Sequence, residues 1–229
     1  MSNSVLILGD SGTGKSTSIR TLPPEETFVL NILGKSLPFR GSSKNYSKLS
    51  PDGLTGNSYS SHDFTTVKRI INLVDKKRPD IKYLIIDDAG YLIMKDYVKN
   101  ALVKGFDKFS ALAKEFSETI DLIKECRNDL FCFITMHVEI QPDGKTKPKT
   151  IGNMIDRSVC IEGNFTYIFH TAIIDKQYKF ITNNDSVHMA KSPLEMFPQY
   201  IDNDLLFIAD SIKEYENEDV SQWDIFYLL

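Results

Sequence analysis

The stretch Val5-Leu6-Ile7-Leu8-Gly9-Asp10-Ser11-Gly12-Thr13-Gly14-Lys15-Ser16 restricts the fold more than any other part of the chain. Four apolar residues read as a buried strand, and Gly9 opens the pattern G-x-x-x-x-G-K-[ST], the P-loop pattern. The chemistry follows from the residue types. Glycines at positions 12 and 14 permit backbone conformations that a side chain would block, so successive N–H groups can turn inward around a phosphate. Lys15 supplies a point charge for the β- and γ-phosphates of a nucleotide, and Ser16 offers a hydroxyl to Mg²⁺. A helix expected to begin near Ser16 adds the positive end of its dipole. The residues expected to cradle ATP are therefore Gly9, Asp10, Ser11, Gly12, Thr13, Gly14, Lys15, Ser16 and Thr17.

A P-loop needs a second element, and the chain carries one. Tyr83-Leu84-Ile85-Ile86-Asp87-Asp88 is a hydrophobic strand that delivers two acids at its C-terminal end, as a Walker B element does. In an open parallel sheet ligands bind beyond the carboxyl ends of the strands, so this strand and the P-loop strand should point at one site. Asp87 is expected to hold Mg²⁺ together with Ser16, and Asp88 to orient or deprotonate an attacking water. Phe131-Cys132-Phe133-Ile134-Thr135-Met136-His137 is a further buried strand ending in polar residues, where Thr135 or His137 can sense the γ-phosphate or the water.

Between these motifs the pattern alternates strand and helix. Pro23-Pro24 stops the first helix and Thr27–Ile32 reads as a strand. A polar region from Gly34 to about Ser61 interleaves Lys35, Arg40, Lys44 and Lys48 with Phe39, Tyr46 and Tyr59; it reads equally as a nucleotide- or DNA-contacting loop and as a solvated excursion. Apolar residues from Phe64 to Val74 recur at helical spacing behind the cap residue Asp63. Residues Gly105 to Arg127 give the longest helical pattern, with Phe106, Phe109, Leu112, Ala113, Phe116, Ile120 and Ile123 in one stripe read as core. Pro142-Asp143-Gly144 is a turn, after which Lys145, Lys147 and Lys149 share one face of an extended arm. Thr166–Ile174 and Gln177–Thr182 form a hairpin across Asp175-Lys176, and a helix from about Asp202 to Tyr215 closes the domain.

Length and composition fit this reading. The chain has 229 residues, of which 41% are hydrophobic and 25% charged, enough for one α/β domain with a sizeable core. We divide it into a P-loop domain over 1–215 and an acidic, hydrophobic-tipped tail over 216–229, which reads either as a solvated linker with its tip packed on its own domain or as a segment that docks on a protein partner. The net charge of −4 gives no global attraction to nucleic acid, so any DNA contact must come from local basic loops or an oligomer that aligns them. No apolar run is long enough to cross a bilayer and no leader is expected. The odd set Cys126, Cys132 and Cys160 argues for reduced thiols and a cytoplasmic setting, the host cytoplasm if the protein is viral.

On Gly9–Ser16, Tyr83–Asp88, the strand ending Thr135-Met136-His137, and Ala190-Lys191-Ser192-Pro193 before the closing helix, the chain resembles the RecA-like P-loop ATPases carried by bacteriophages, grouped with single-strand annealing recombinases. The resemblance implies a RecA-like α/β fold with a mainly parallel central sheet, flanking helices, and a C-terminal β-hairpin plus helix. It also implies that the sensor strand lies between the P-loop and Walker B strands. Rings or filaments with ATP between subunits follow from it, with a late basic residue, Lys191 first and Lys179 second, reaching the neighbour's γ-phosphate. It implies single-stranded DNA contacts from Tyr91–Lys104 and His137–Thr150. One departure is evident: such enzymes usually place a catalytic Glu after the second strand, and here that strand runs into Asn31-Ile32-Leu33-Gly34-Lys35 with no acid. The functions that follow are a Mg-dependent ATPase, a nucleotide-dependent recruitment module with negligible turnover, or a small P-loop kinase. The region from 100 to 130 holds only Arg127, too little for the Arg-rich lid of the last.

Overall fold

A computed structural model describes residues 2–105, 107–151 and 160–217. Among these, nine strands form one sheet whose main path runs β3-β2-β4-β5-β1-β7-β8-β9. The strands are β1 (Asn3–Gly9), β2 (Thr27–Asn31), β3 (Ser58–Tyr59), β4 (Tyr83–Asp87), β5 (Phe131–Ile140), β6 (Thr146–Pro148), β7 (Tyr167–Ile174), β8 (Gln177–Ile181) and β9 (Tyr200–Asp202). Pairing is parallel from β3 through β7, and antiparallel for β7–β8, β8–β9 and the β5–β6 arm. The strand carrying Thr135 and His137 thus lies between the P-loop strand and the Asp87 strand, as expected. The helices are α1 (Ser42–Asn45), α2 (Phe64–Lys77), α3 (Gly90–Lys99), α4 (Asp107–Lys124) and α5 (Leu205–Asn217).

The central strands are apolar on both faces because helices cover both. Leu6, Leu8, Phe28, Leu30, Leu84 and Ile86 face α2 and α4, where they meet Val67, Ile71, Leu112 and Phe116. The alternate residues Val5, Ile7, Val29, Ile85 and Phe133 face the other way, against Ile19 and the α5 residues Leu205, Ile208 and Ile212. Asp63 caps α2, its side chain accepting from Thr66 N at 2.9 Å, and Lys76 and Lys77 fill the last turn. In α4 the expected stripe is buried at Leu112, Ala113, Phe116, Ile120 and Ile123; Phe106 lies outside the described residues and Phe109 is half-buried. The hairpin turn Asp175-Lys176 has φ of 51° and 64°, the two left-handed residues of a tight β-turn whose twist suits its strands.

The segment after the P-loop is a correction. It forms a six-residue 3-10 helix, Ser16–Thr21, rather than a longer α-helix. Side chains compete locally for its backbone: Ser18 Oγ donates to Lys15 O at 2.6 Å and Thr21 Oγ1 to Ser18 O at 2.9 Å. Pro23 then prevents continuation. The dipole at Ser16 is accordingly that of a short element.

Cys126 and Cys132 are buried free thiols, and Cys160 is an exposed one. No helix among the described residues is long and apolar enough to cross a membrane. Residues 218–229, most of the expected tail, lie outside the described residues.

Candidate functional site

Register brings the polar strand ends together. Gly9 lies opposite His137 across β1–β5, Ile7 opposite Thr135, and Asn31 opposite Asp87 across β2–β4. Because side chains alternate along a strand, Asp87 continues the face of Tyr83 and Ile85, and Thr135 that of Phe131 and Phe133. That is the face on which Ser16 begins the 3-10 helix. Ser16 Oγ donates to Asp87 Oδ1 at 2.9 Å, and Thr135 Oγ1 donates to the same oxygen at 2.8 Å. The Thr135 hydroxyl also accepts from Asp88 N at 2.8 Å. One buried threonine therefore fixes both acids, through the side chain of one and the backbone of the other.

Asp88 then leaves the strand with φ of 63°, a left-handed conformation that Asp tolerates better than most residues. The turn re-aims its carboxylate: Oδ1 lies 3.4 Å from His137 Nε2 and Oδ2 3.5 Å from Lys35 Nζ. Lys15 Nζ donates to Gly9 O at 2.8 Å and Asp10 O at 2.7 Å, and lies 3.4 Å from His137 Nδ1. With Lys15 donating to Nδ1, the imidazole carries its hydrogen on Nε2, facing Asp88. Tyr91 meets His137 edge-on with ring centroids 6.0 Å apart, and Lys35 stands 5.6 Å over the Tyr91 ring.

These groups border a cleft of ≈ 350 Å³ lined by Ser11, Gly12, Gly14, Lys15, Ser16 and Thr17 on one side and Lys35, Asp87, Asp88 and His137 on another, with Tyr178 from β8. The loop is packed so closely that glycine is required at Gly9: a Cβ there would fall 2.0 Å from Thr171 Oγ1. Thr171 in turn shares a 2.6 Å hydrogen bond with Thr13 Oγ1, and Thr13 Oγ1 donates to Asp10 O at 2.8 Å. Gly14 has φ of 109°, and its carbonyl accepts from the buried Asn203 amide at 3.3 Å. Asn203 Oδ1 accepts from Arg20 at 2.8 Å, and Arg20 also donates to Thr17 O at 2.9 Å. Thr171, Asn203, Lys35 and Tyr178 are thus part of the site's frame without belonging to any motif.

The electrostatics follow from burial. Desolvation lowers the Lys15 pKa, with Asp88, Asp87 and Asp10 pulling it back up. Burial, and then the neighbouring Asp88 charge, raises that of Asp87. Asp88 is held below the usual carboxylate range: burial would raise it, but the His137 hydrogen bond and the charges of Lys35 and Lys15 prevail. Beside Leu8 in the sheet, His170 is pushed down to about 4, first by burial and then by His188, whose ring centroid is 4.6 Å away.

The hydroxyl of Ser16 and the carboxylate of Asp87 are hard oxygen donors in contact with each other, which fits Mg²⁺ held jointly with nucleotide phosphates. Lys191 is not brought to the cleft. It bridges Ile168 across the β7 edge, and its Nζ donates to Glu162 O at 3.4 Å. Lys179 pairs with Asp202 at 2.5 Å. Asn31, where an acid was missing, shapes the loop after β2: its Nδ2 donates to Lys35 O at 2.5 Å and its Oδ1 accepts from Gly34 N at 2.7 Å.

A P-loop lysine and a hydroxyl–carboxylate pair, with the Thr135–His137 strand between the strands that carry them, are the parts of a nucleotide-binding ATPase-type site, and the comparison by family agrees. Residues 1–194 match the AAA domain family. The chain belongs to this family. No curated protein shows significant sequence similarity to it. The match to the AAA domain family covers the P-loop, both acids, the strand of Thr135 and His137, and the β7–β8 hairpin, and stops before α5.

Proposed function

We propose that the protein is a Mg-dependent ATPase acting on single-stranded DNA in recombination or replication of the bacteriophage type, in the cytoplasm, with ATP shared between subunits of a ring or filament. The observation that carries the ATPase reading is the pair of hydroxyls, Ser16 and Thr135, converging on Asp87 Oδ1 beside Lys15. In this reading Lys15 and the backbone N–H groups from Asp10 to Thr17 stabilise phosphate charge as it develops. Ser16 and Asp87 hold Mg²⁺, which when bound neutralises the β- and γ-phosphates. Asp88, ionised and hydrogen-bonded to His137, orients the attacking water and accepts its proton. Thr135 and His137 report phosphate state, because each touches one of the two acids. Lys191, standing off its own cleft, supplies the neighbour's site in trans.

Single-stranded DNA is supported by the resemblance and by exposed lysines at Lys99 and Lys104, following the Asp87 strand, and at Lys145 and Lys149, following His137. The stretch 1–215 acts as the ATPase domain and 216–229 as a protein-docking tail. A second reading, a recruitment module with negligible turnover, is favoured by Asn31, whose amide is committed to the loop where such enzymes carry an acid. Phosphate release from ATP with and without single-stranded DNA tests both. The ATPase reading expects turnover that DNA stimulates and that Lys15→Ala abolishes. Full-rate hydrolysis by Lys15→Ala ends it, and a wild type that binds ATP without turnover selects the module.

A further inference from the structure

The P-loop and its acids account for a triphosphate and a metal, but leave open what receives the rest of a nucleotide. In the sheet, β1 has β5 and then β4 on one side and β7 and β8 on the other. Asp87, Asp88 and His137, the groups that meet the metal and terminal phosphate, all come from the first side. A triphosphate laid along the loop with its last phosphate at those groups emerges toward the second side, past Gly14 and Thr17. There the cleft wall is Tyr178, whose phenol ring faces the cleft from the side opposite the His137 imidazole.

Tyr178 is placed by the backbone. It stands two residues after the Asp175-Lys176 turn, opposite Ile173 in the antiparallel β7–β8 ladder. Its face of β8 is that of Phe180, which packs into the core layer shared with Ile19 and α5. The ring approaches Gly14 so closely that a Cβ there would lie 3.0 Å from Cδ1. The residue is 41% exposed, and among the described residues no ring pair includes it. A half-open aromatic ring beside the loop's exit is an element that a nucleobase can stack on.

We propose that Tyr178 is the nucleobase platform of this site, holding the base by stacking on its ring rather than by reading its edge. The assignment rests on the P-loop reading above and specifies the ligand as a nucleoside triphosphate recognised at both ends. Since every base has a π-face, the contact serves all four bases. The phenol oxygen has no part in it.

Calorimetric titration of the full-length protein with ATP, GTP, CTP and UTP, and with inorganic tripolyphosphate, tests the assignment. Tyr178→Ala is expected to weaken all four nucleotides about tenfold, the scale of one base–aromatic stack. It should leave tripolyphosphate unchanged, and Tyr178→Phe should bind all five probes as the wild type does. Equal weakening of tripolyphosphate would overturn the assignment, because Tyr178 would then act by shaping Gly14. So would unchanged nucleotide affinity in Tyr178→Ala, or a loss in Tyr178→Phe as large as that in Tyr178→Ala. A wild type that binds neither tripolyphosphate nor nucleotide overturns the phosphate-cradle reading, and the platform with it.

Discussion

His170 makes the stability of the P-loop strand's neighbour depend on pH in a calculable way. The residue is 2% exposed, lies opposite Leu8, and its Nδ1 makes no hydrogen bond. Burial first, and then the His188 ring, lowers its pKa from 6.5 to about 4. A histidine depressed in the folded state binds its proton more readily in the unfolded chain. Its contribution is therefore fully present above pH 6.5 and is lost as pH falls toward 4. At about 1.4 kcal/mol per pKa unit the whole loss is about 3 kcal/mol, and about 2.5 kcal/mol of it has gone by pH 4.5. That is a large share of a typical domain's stability. The perturbation is His170→Phe, which keeps a ring against His188 and removes both the titration and the unpaired nitrogen. Urea unfolding at pH 8 and pH 4.5 should show the wild type losing about 2.5 kcal/mol more than the variant between the two. Parallel losses in the two proteins would refute the reasoning, whatever their absolute stabilities.

Two further outcomes bear on the acids. Thr135→Val removes a buried hydroxyl that serves Asp87 Oδ1 and Asp88 N. It should cost about 2 kcal/mol in urea melts, with Thr135→Ser recovering most of it; a loss under about 0.5 kcal/mol contradicts the bridging role. Asp88→Asn should lower kcat by about 10²- to 10⁴-fold while the Kd for ATP stays within a few-fold, and an unchanged kcat removes Asp88 from proton transfer.

How much of this was legible beforehand differs by residue. The strands around Gly9, Asp87 and Thr135 were readable because parallel strands covered on both faces are written as unbroken apolar runs. The spacing G-x-x-x-x-G-K-[ST] likewise fixed the cradle, since the backbone must turn there. The 3-10 form of Ser16–Thr21 was not readable, because it depends on Ser18 and Thr21 binding the backbone of their own turn. Thr171, Asn203 and Tyr178 come to the loop from strands or turns more than 150 positions later, and no local pattern announces a contact of that range. Lys35 was visible as a basic loop residue, but its pairing with Asp88 depends on the left-handed turn at Asp88. The alternation of Lys145, Lys147 and Lys149 on the exposed side of the arm, against the buried Thr146, Pro148 and Thr150, was fully visible as a period of two.

The strand β5 runs on past His137 to Ile140 and folds back through β6. Lys149 N donates to His137 O at 2.8 Å, and Lys147 pairs with Glu139 at 3.1 Å. The residue that touches Lys15 and Asp88 is thus the root of a two-stranded arm. The carbonyl of His137 is held by Lys149 N of the arm while its ring lies beside Lys15 and Asp88, so arm and cleft share one residue. One unbroken strand joins the arm's tip to the wall of the cleft.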